Sequence, residues 1–291
     1  MIDMIHAALI APFAEFEFMR RALVGAVALA VAGAPIGVFL MLRRMSLTGD
    51  AMAHAILPGA AIGYLLSGLS LTAMTVGGLV AGLTVAIGAG VVARASVLKE
   101  DATLAAFYLV SLALGVTIVS MRGSNVDLLH VLFGTVLALD DQALMLIAGI
   151  ATLTLVTLAV ILRPLTVESV DPVFLASVGR AGAPVHLVFM GLVVLNLVGG
   201  FHALGTLLAV GLMMLPAASA RLWVEDLTAL LVVAAGIGAV SAVSGLLLSY
   251  HHELPAGPAI ILTAGVVYLA SLAFGRRGLV ASRLARPHLE A

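Results

Sequence analysis

The sequence predicts an all-α polytopic membrane protein with about nine transmembrane helices plus a short re-entrant or partial helix. The chain has 291 residues, of which 63% are hydrophobic and 10% are charged. A soluble globular domain carries about 25% charged residues, so a soluble fold is excluded. The mean hydropathy of +1.22 agrees with a membrane protein. No basic patch suggests binding to nucleic acid.

Nine apolar segments approach the length of about 20 residues that a helix needs to cross a bilayer. They cover residues 22–42, 51–67, 71–93, 102–120, 143–162, 185–198, 203–220, 227–248 and 257–274. Residues 127–139 are also apolar but short for a span, so we expect a re-entrant or partial helix packed inside the protein. Pro58 and Pro216 lie deep in two segments and are expected to bend those helices.

The distribution of basic residues predicts the orientation in the membrane. With the N-terminus outside, one side receives 11 Lys and Arg residues and the other side receives 3. Cytoplasmic loops carry the excess of basic residues, so the first side is assigned to the cytoplasm. The predicted organisation is an extracytoplasmic segment over 1–21, one transmembrane domain over 22–274 and a cytoplasmic tail over 275–291.

The longest loop, about residues 163–184, is cytoplasmic in this orientation. Within it, Asp171 as an N-cap and Pro172 in the first turn predict a short surface helix, which Gly179 or Gly182 ends. Such a helix serves either as a docking element or as an ordinary linker.

Asp50 and His54 are the first candidates for a functional site. They stand four residues apart at the start of an apolar segment, so on a helix they share one face. A carboxylate and an imidazole held in this way both reach one divalent cation, and ionisable side chains are costly inside a bilayer. A capping Asp beside a packed His explains the same spacing, as does a proton relay.

Other histidines are further candidates for metal ligands. His130 lies in the predicted short helix and His202 lies near the outer end of a span, and each is as readily a packing residue. His251, His252 and Glu253 form an outward cluster, which either receives metal from a donor protein or is an ordinary solvated loop.

The chain lacks the motifs of several enzyme classes. Its only lysine, Lys99, follows Leu98, so no phosphate-binding loop of the Gly-x-x-x-x-Gly-Lys type exists and any ATP hydrolysis belongs to another polypeptide. Cysteine is absent, which excludes disulfides and thiolate metal sites within this chain. The acidic pairs at 100–101, 140–141 and 225–226 precede predicted helices, so we expect them to act as N-terminal caps.

Three blocks of sequence carry a family pattern. They are RRMSLTGDAMAHAILPG at 43–59, EDATLAAFYLVSLALG at 100–115 with LLHVLFG at 128–134, and GTLLAVGLMMLPAASA at 205–220 with LPAGPAIIL at 254–262. Together they resemble the metal-type ABC transporter permeases, the bacterial family that imports zinc, manganese or iron(II). The similarity runs from about residue 22 to 274. The cluster at 251–253 and the arginine-rich tail from Arg276 depart from the family pattern.

The resemblance implies a permease without an ATPase site or cofactor of its own, in the bacterial cytoplasmic membrane. Two copies would form a core that works with cytoplasmic ATP-binding subunits and an extracytoplasmic metal-binding protein. Asp50 and His54 would be ligands on the path of a divalent metal, and the loop 171–182 would be the coupling helix that receives the ATPase stroke. The coupling residues are expected at Asp171, Pro172, Ala176 and Gly179.

Two other function classes stay open from the residues alone. A proton-coupled secondary transporter of metal or another small solute would use Asp50 and His54 as a proton relay. A membrane-embedded enzyme is disfavoured because no nucleophile or metalloenzyme motif appears. An ATPase that co-purifies stoichiometrically with the chain would separate a permease from a secondary transporter.

Overall fold

The computed structural model of the chain describes residues 9–68, 70–98, 100–121, 139–171, 174–175, 177 and 182–279. Within these residues every regular element is a helix, which confirms the predicted all-α class. The eleven helices of the described ranges are α1 (Ala11–Glu15), α2 (Glu17–Leu42), α3 (Thr48–Ala55), α4 (Leu57–Ser67), α5 (Leu71–Ala95), α6 (Glu100–Met121), α7 (Asp141–Val170), α8 (Gly182–Leu204), α9 (Thr206–Arg221), α10 (Leu227–His252) and α11 (Ala256–Phe274).

The long helices match the predicted spans. Seven helices of the described part are long and apolar enough to cross a membrane, namely α2, α5, α6, α7, α8, α10 and α11. The apolar helix α9 is shorter, with 16 residues. Of the predicted re-entrant segment 127–139, only Leu139 lies within the described residues, so that expectation is not addressed by the structure.

The span predicted at 51–67 bends at Pro58, as expected, and the bend divides it into two helices. α3 has 8 residues and α4 has 11, and the two meet at Ile56, whose φ of −73° and ψ of −28° remain helical. Pro58 has no amide hydrogen to donate to the carbonyl of His54, and its ring collides with that carbonyl in a continuous helix. By contrast, α9 continues through Pro216.

The predicted loop 163–184 is shorter than expected because α7 continues through Arg163 and Pro164 to Val170. At 30 residues, α7 is about 45 Å long. Its last turn carries Glu168, whose side chain is largely buried against Arg43. A hydropathy pattern ends where the apolar residues end, so it could not show that a buried ion pair extends the helix.

Two helices form the centre of the bundle. In both α2 and α8, 72% of the most apolar 18-residue stretch is buried. α2 packs against α7, α9 and α10, while α8 packs against α5, α7 and α9. The remaining long helices bury less than 40% of the equivalent stretch, so they lie at the periphery of this chain.

Ion pairs at both ends of the bundle align α2 with α7. Arg21 near the start of α2 lies 3.0 Å from Asp141 at the start of α7. Arg43, directly after α2, lies 2.6 Å from Glu168 near the end of α7. The two helices therefore run parallel, as the predicted orientation requires for two spans that both enter from the outside.

Acidic residues cap two of the helices, as predicted. The Asp140 carboxylate accepts a hydrogen bond of 2.8 Å from the Ala143 amide at the start of α7. The Asp226 carboxylate accepts one of 2.9 Å from the Ala229 amide at the start of α10. These bonds satisfy amides that have no partner within the helix.

Glycine allows α4 and α5 to touch through their backbones. A Cβ atom placed on Gly59 would lie 1.9 Å from the carbonyl oxygen of Gly77 and 2.7 Å from the Cβ of Ala81. Both distances are far below van der Waals contact, so only glycine fits at Gly59 without moving a helix. Close approach of this kind favours helix association in membranes, where no hydrophobic force draws helices together.

We therefore expect Gly59→Ala to destabilise the protein by about 1–3 kcal/mol, because the added methyl group separates α4 from α5. The measurement is the apparent melting temperature of the detergent-purified protein. Gly236→Ala is the matched control, because nothing lies within 4 Å of a Cβ atom at that position in α10. Equal melting temperatures for the two variants would contradict the close contact.

Candidate functional site

The predicted pair lies on α3, one helical turn apart. His54 Nε2 is 3.8 Å from Asp50 Oδ1, which is too long for a hydrogen bond but short enough for both atoms to reach one cation. The Asp50 side chain keeps 67% of its surface exposed, and the His54 side chain keeps 32%. The pair is thus accessible and is not locked by a mutual hydrogen bond.

A cavity of about 340 Å³ opens beside this pair. It lies between α3, the N-terminal half of α9 and α11. The cavity is lined by Asp50, Ala53, His54, Thr206, Leu207, Val210, Gly211 and Ile261. Its polar groups come from Asp50, His54 and Thr206, while the rest of the wall is apolar. A space of this size holds a metal ion with several water molecules, since water occupies about 30 Å³ per molecule in the liquid.

The His54 ring is positioned by packing. Its centroid lies 6.4 Å from that of the Tyr108 ring on α6, with 29° between the two planes. His54 Nδ1 is buried and has no hydrogen-bond partner among the described residues. Nδ1 can carry the proton of the neutral ring, which leaves the lone pair of Nε2 directed toward Asp50 for a cation.

A stripe of α6 supports the break between α3 and α4. The Ser111 hydroxyl donates a buried hydrogen bond of 2.9 Å to the Ala55 carbonyl. One turn further along α6, a Cβ atom on Gly115 would lie 3.1 Å from the nitrogen of Pro58. Together with Tyr108, these residues hold the end of α3 that carries His54.

Sequence reasoning assigned no role to the α6 stripe. Tyr108, Ser111 and Gly115 recur at intervals of three and four residues, which places them on one helix face. That spacing was a readable signal, but the partner of the face becomes visible only when the helices are packed.

Asp50 and His54 could supply only part of a metal coordination shell. No group of three or more His, Cys, Asp or Glu side chains that could hold a metal ion exists among the described residues. One carboxylate and one imidazole can bind a divalent ion whose other positions are filled by water or by another chain. An incomplete shell of this kind differs from a structural metal site, whose protein ligands form a closed set.

The other predicted ligands lie away from this cavity or outside the described residues. His251 and His252 end α10 and Glu253 follows in a left-handed conformation with φ of 53°; all three are exposed, and none lines the cavity. His202 lies in the last turn of α8, and nothing is described of its side chain. His130 lies outside the described residues.

The described part of the loop after α7 agrees with the predicted cap. The Asp171 carboxylate accepts a hydrogen bond of 2.9 Å from the Phe174 amide, and the Phe174 carbonyl accepts one of 2.8 Å from the Ser177 hydroxyl. The other predicted coupling residues, Pro172, Ala176 and Gly179, lie outside the described residues. Phe174 is 55% exposed, and sequence reasoning had not singled it out.

Comparison with known proteins identifies relatives along nearly the whole chain. The chain is 34% identical over 257 residues to the manganese import system permease protein ScaB of Streptococcus parasanguinis. The matched region covers 88% of this chain and 90% of that protein. It is 33% identical over 270 residues to the manganese transport system membrane protein MntC of Listeria monocytogenes, which covers 92% of this chain and 95% of that protein.

A solved structure shares the fold. PsaBC from Streptococcus pneumoniae in complex with Fab matches with a TM-score of 0.82 and 31% sequence identity, covering 93% of this chain and 96% of that chain. The profile of the ABC 3 transport family matches residues 15–275, which confirms the resemblance found in the sequence. The chain therefore belongs to the ABC 3 transport family and is the membrane permease subunit of an ABC transporter, not its ATPase.

Proposed function

We propose that this permease imports Mn²⁺ and that the ion passes between Asp50 and His54. The observation that carries the proposal is the pair of side chains at the cavity of about 340 Å³. There the solvent-exposed Asp50 carboxylate and the His54 imidazole lie 3.8 Å apart. Relatives at 34% and 33% identity are manganese import and transport proteins, which favours manganese over zinc and iron.

The chemistry of the cavity is compatible with manganese. Carboxylate and water oxygens suit Mn²⁺, while imidazole also suits zinc and iron, so an oxygen and nitrogen pair accepts all three. Thiolates would have favoured soft metals, and the chain has no cysteine. Preference for manganese over zinc therefore rests on the relatives and not on the two ligands.

The energy for transport is proposed to come from ATP bound by a separate cytoplasmic subunit. Membership in an ABC transporter family argues against the proton-coupled alternative, because ABC transporters draw on ATP. The further partners are an extracytoplasmic metal-binding protein and a second copy of this chain. A second copy also offers a means to complete the coordination shell that Asp50 and His54 leave open.

The contact with the ATP-binding subunit is proposed at the loop that follows α7, residues 171–181. Asp171 caps its first turn, and Phe174 presents an apolar ring that is 55% exposed. An exposed aromatic side chain on a cytoplasmic loop is typical of an anchor that enters a pocket on a partner protein.

Asp50→Asn tests the metal path. The change keeps the size of the side chain and removes its charge, so we expect Mn²⁺ uptake to fall at least about tenfold. The measurement is cellular manganese, zinc and iron by elemental mass spectrometry in a deletion strain that carries each variant, grown in limiting metal.

Asp226→Asn is the control for that experiment. Asparagine is as good an N-cap as aspartate, so the same chemical change at the start of α10 should leave uptake near the wild-type level. If both variants accumulate manganese equally at equal amounts in the membrane, Asp50 is not on the path. If deletion lowers zinc or iron instead of manganese, the metal assignment is wrong.

Phe174→Asp tests the docking loop. Placing a charge at an apolar anchor should reduce recovery of the ATP-binding subunit with the purified permease at least about fivefold. Val97→Asp is the control, because Val97 is fully exposed and lies at the cytoplasmic end of α5, in a different loop. Equal recovery with the two variants would move the docking surface elsewhere.

A further inference from the structure

A buried ionic cluster joins three helix ends on the cytoplasmic side of the bundle. Arg43 follows α2, Glu168 and Ser169 end α7, and His186 lies in the first turns of α8. All three charged or ionisable side chains are largely buried: the solvent-exposed fraction is 8% for Arg43, 11% for Glu168 and 9% for His186. None of these residues lines the Asp50 cavity.

Arg43 is the centre of this cluster, and each of its nitrogens faces a different partner. Nε donates a hydrogen bond of 3.1 Å to the Ser169 hydroxyl, and Nη1 donates one of 2.9 Å to His186 Nδ1. Nη2 lies 2.6 Å from the Glu168 carboxylate, in an ion contact rather than an aligned hydrogen bond. The guanidinium carbon also lies 4.9 Å above the Phe189 ring of α8.

The directions of these bonds fix the charges in the cluster. A guanidinium has five donors and no acceptor, so His186 Nδ1 must accept and must carry a lone pair. The imidazole is therefore neutral in this arrangement, with its proton on Nε2. One positive and one negative charge remain, and they balance each other.

The positions of these residues along the chain connect two distant parts of the protein. Glu168 stands three residues before Asp171, at one end of the proposed docking loop, and His186 stands five residues after position 181, at the other end. Arg43 stands seven residues before Asp50 and five before α3 begins. The cluster thus holds both ends of the loop against the segment that leads into the metal-binding helix.

We propose that the Arg43–Glu168–His186 cluster transmits movement of the docking loop to α3, and so couples ATP hydrolysis to the opening and closing of the Asp50 cavity. The inference rests on the proposed function, because it takes the loop as the contact with the ATPase. Arg43, Glu168 and His186 act as positioning residues: they are expected to touch neither the metal ion nor the nucleotide.

The physical reason is that a buried, multiply bonded ion pair behaves as a rigid joint. Separating Arg43 from Glu168 would leave two charges without partners in a site of low polarity. A small displacement of the ends of α7 and α8 should therefore move the segment before α3 with them. A buried ion pair adds little net stability compared with apolar packing, which makes a role beyond stability the better explanation for its presence at this junction.

Glu168→Gln and Arg43→Lys test the coupling. Glutamine removes the charge opposite Arg43. Lysine keeps the positive charge but has no fork that can reach Ser169, His186 and Glu168 together. Arg43→Lys keeps a positive charge beside Glu168 and so leaves no unpaired buried charge, which makes it the milder variant; it decides the test if the Glu168→Gln complex fails to assemble.

The measurement is the amount of Mn²⁺ taken up per ATP hydrolysed, for assembled complexes with the ATP-binding subunit in proteoliposomes supplied with the metal-binding protein. We expect this ratio to fall at least about fivefold in both variants, since hydrolysis continues while its movement no longer reaches α3. The ratio does not depend on protein yield, so a purely structural role would leave it unchanged.

Glu225→Gln is the matched control. Glu225 also forms an ion pair with an arginine, Arg277, but both side chains are at least half exposed. The same substitution there should leave the ratio at the wild-type value.

A wild-type ratio in Arg43→Lys, or a proportional fall of uptake and hydrolysis, overturns the coupling role while the proposed function stands. A wild-type complex that shows no ATP-driven Mn²⁺ uptake overturns the proposed function instead, and the coupling role with it.

Discussion

Backbone polar groups inside a bilayer must find partners within the protein, and this constraint shapes the bend between α3 and α4. Pro58 withholds an amide hydrogen from the turn that carries His54. The Ser111 hydroxyl satisfies the Ala55 carbonyl from a neighbouring helix. The His54 carbonyl, which Pro58 cannot reach with a hydrogen bond, accepts from the Ile56 amide instead. α6 thus satisfies the neighbouring carbonyl at this junction, and the same helix presents Tyr108 to the His54 ring.

Close packing of the central helices keeps this arrangement in place. A Cβ atom on Gly37 of α2 would lie 1.9 Å from the Met213 carbonyl of α9, so these two helices touch through their backbones. Met213 in turn approaches Gly49, one residue before Asp50, where a Cβ atom would lie 2.6 Å from the methionine methyl group. The segment that carries Asp50 thus packs against the same helix that forms the facing wall of the cavity.

Local features of this chain were predictable from its sequence, and long-range ones were not. Hydropathy located the long helices, and the spacing of four residues placed Asp50 and His54 on one face. The Arg43–Glu168–His186 cluster was not predictable, because Arg43 is 126 positions from Ser169 and 143 positions from His186 in the sequence. A single sequence contains no signal for such pairings. The bend at Pro58 was predictable from the sequence, but its packing against α6 was not.

If an ion passes between Asp50 and His54 as proposed, the charges around the cavity affect how long it stays there. A divalent ion there would meet a single negative charge, that of Asp50, because no other lining residue is acidic. Because the Asp50 side chain is 67% exposed, water would offset the second positive charge of the ion. Held by one carboxylate and by exchangeable water, such an ion would leave more easily than from a site with two carboxylates, so the cavity would be a brief stop and not a reservoir.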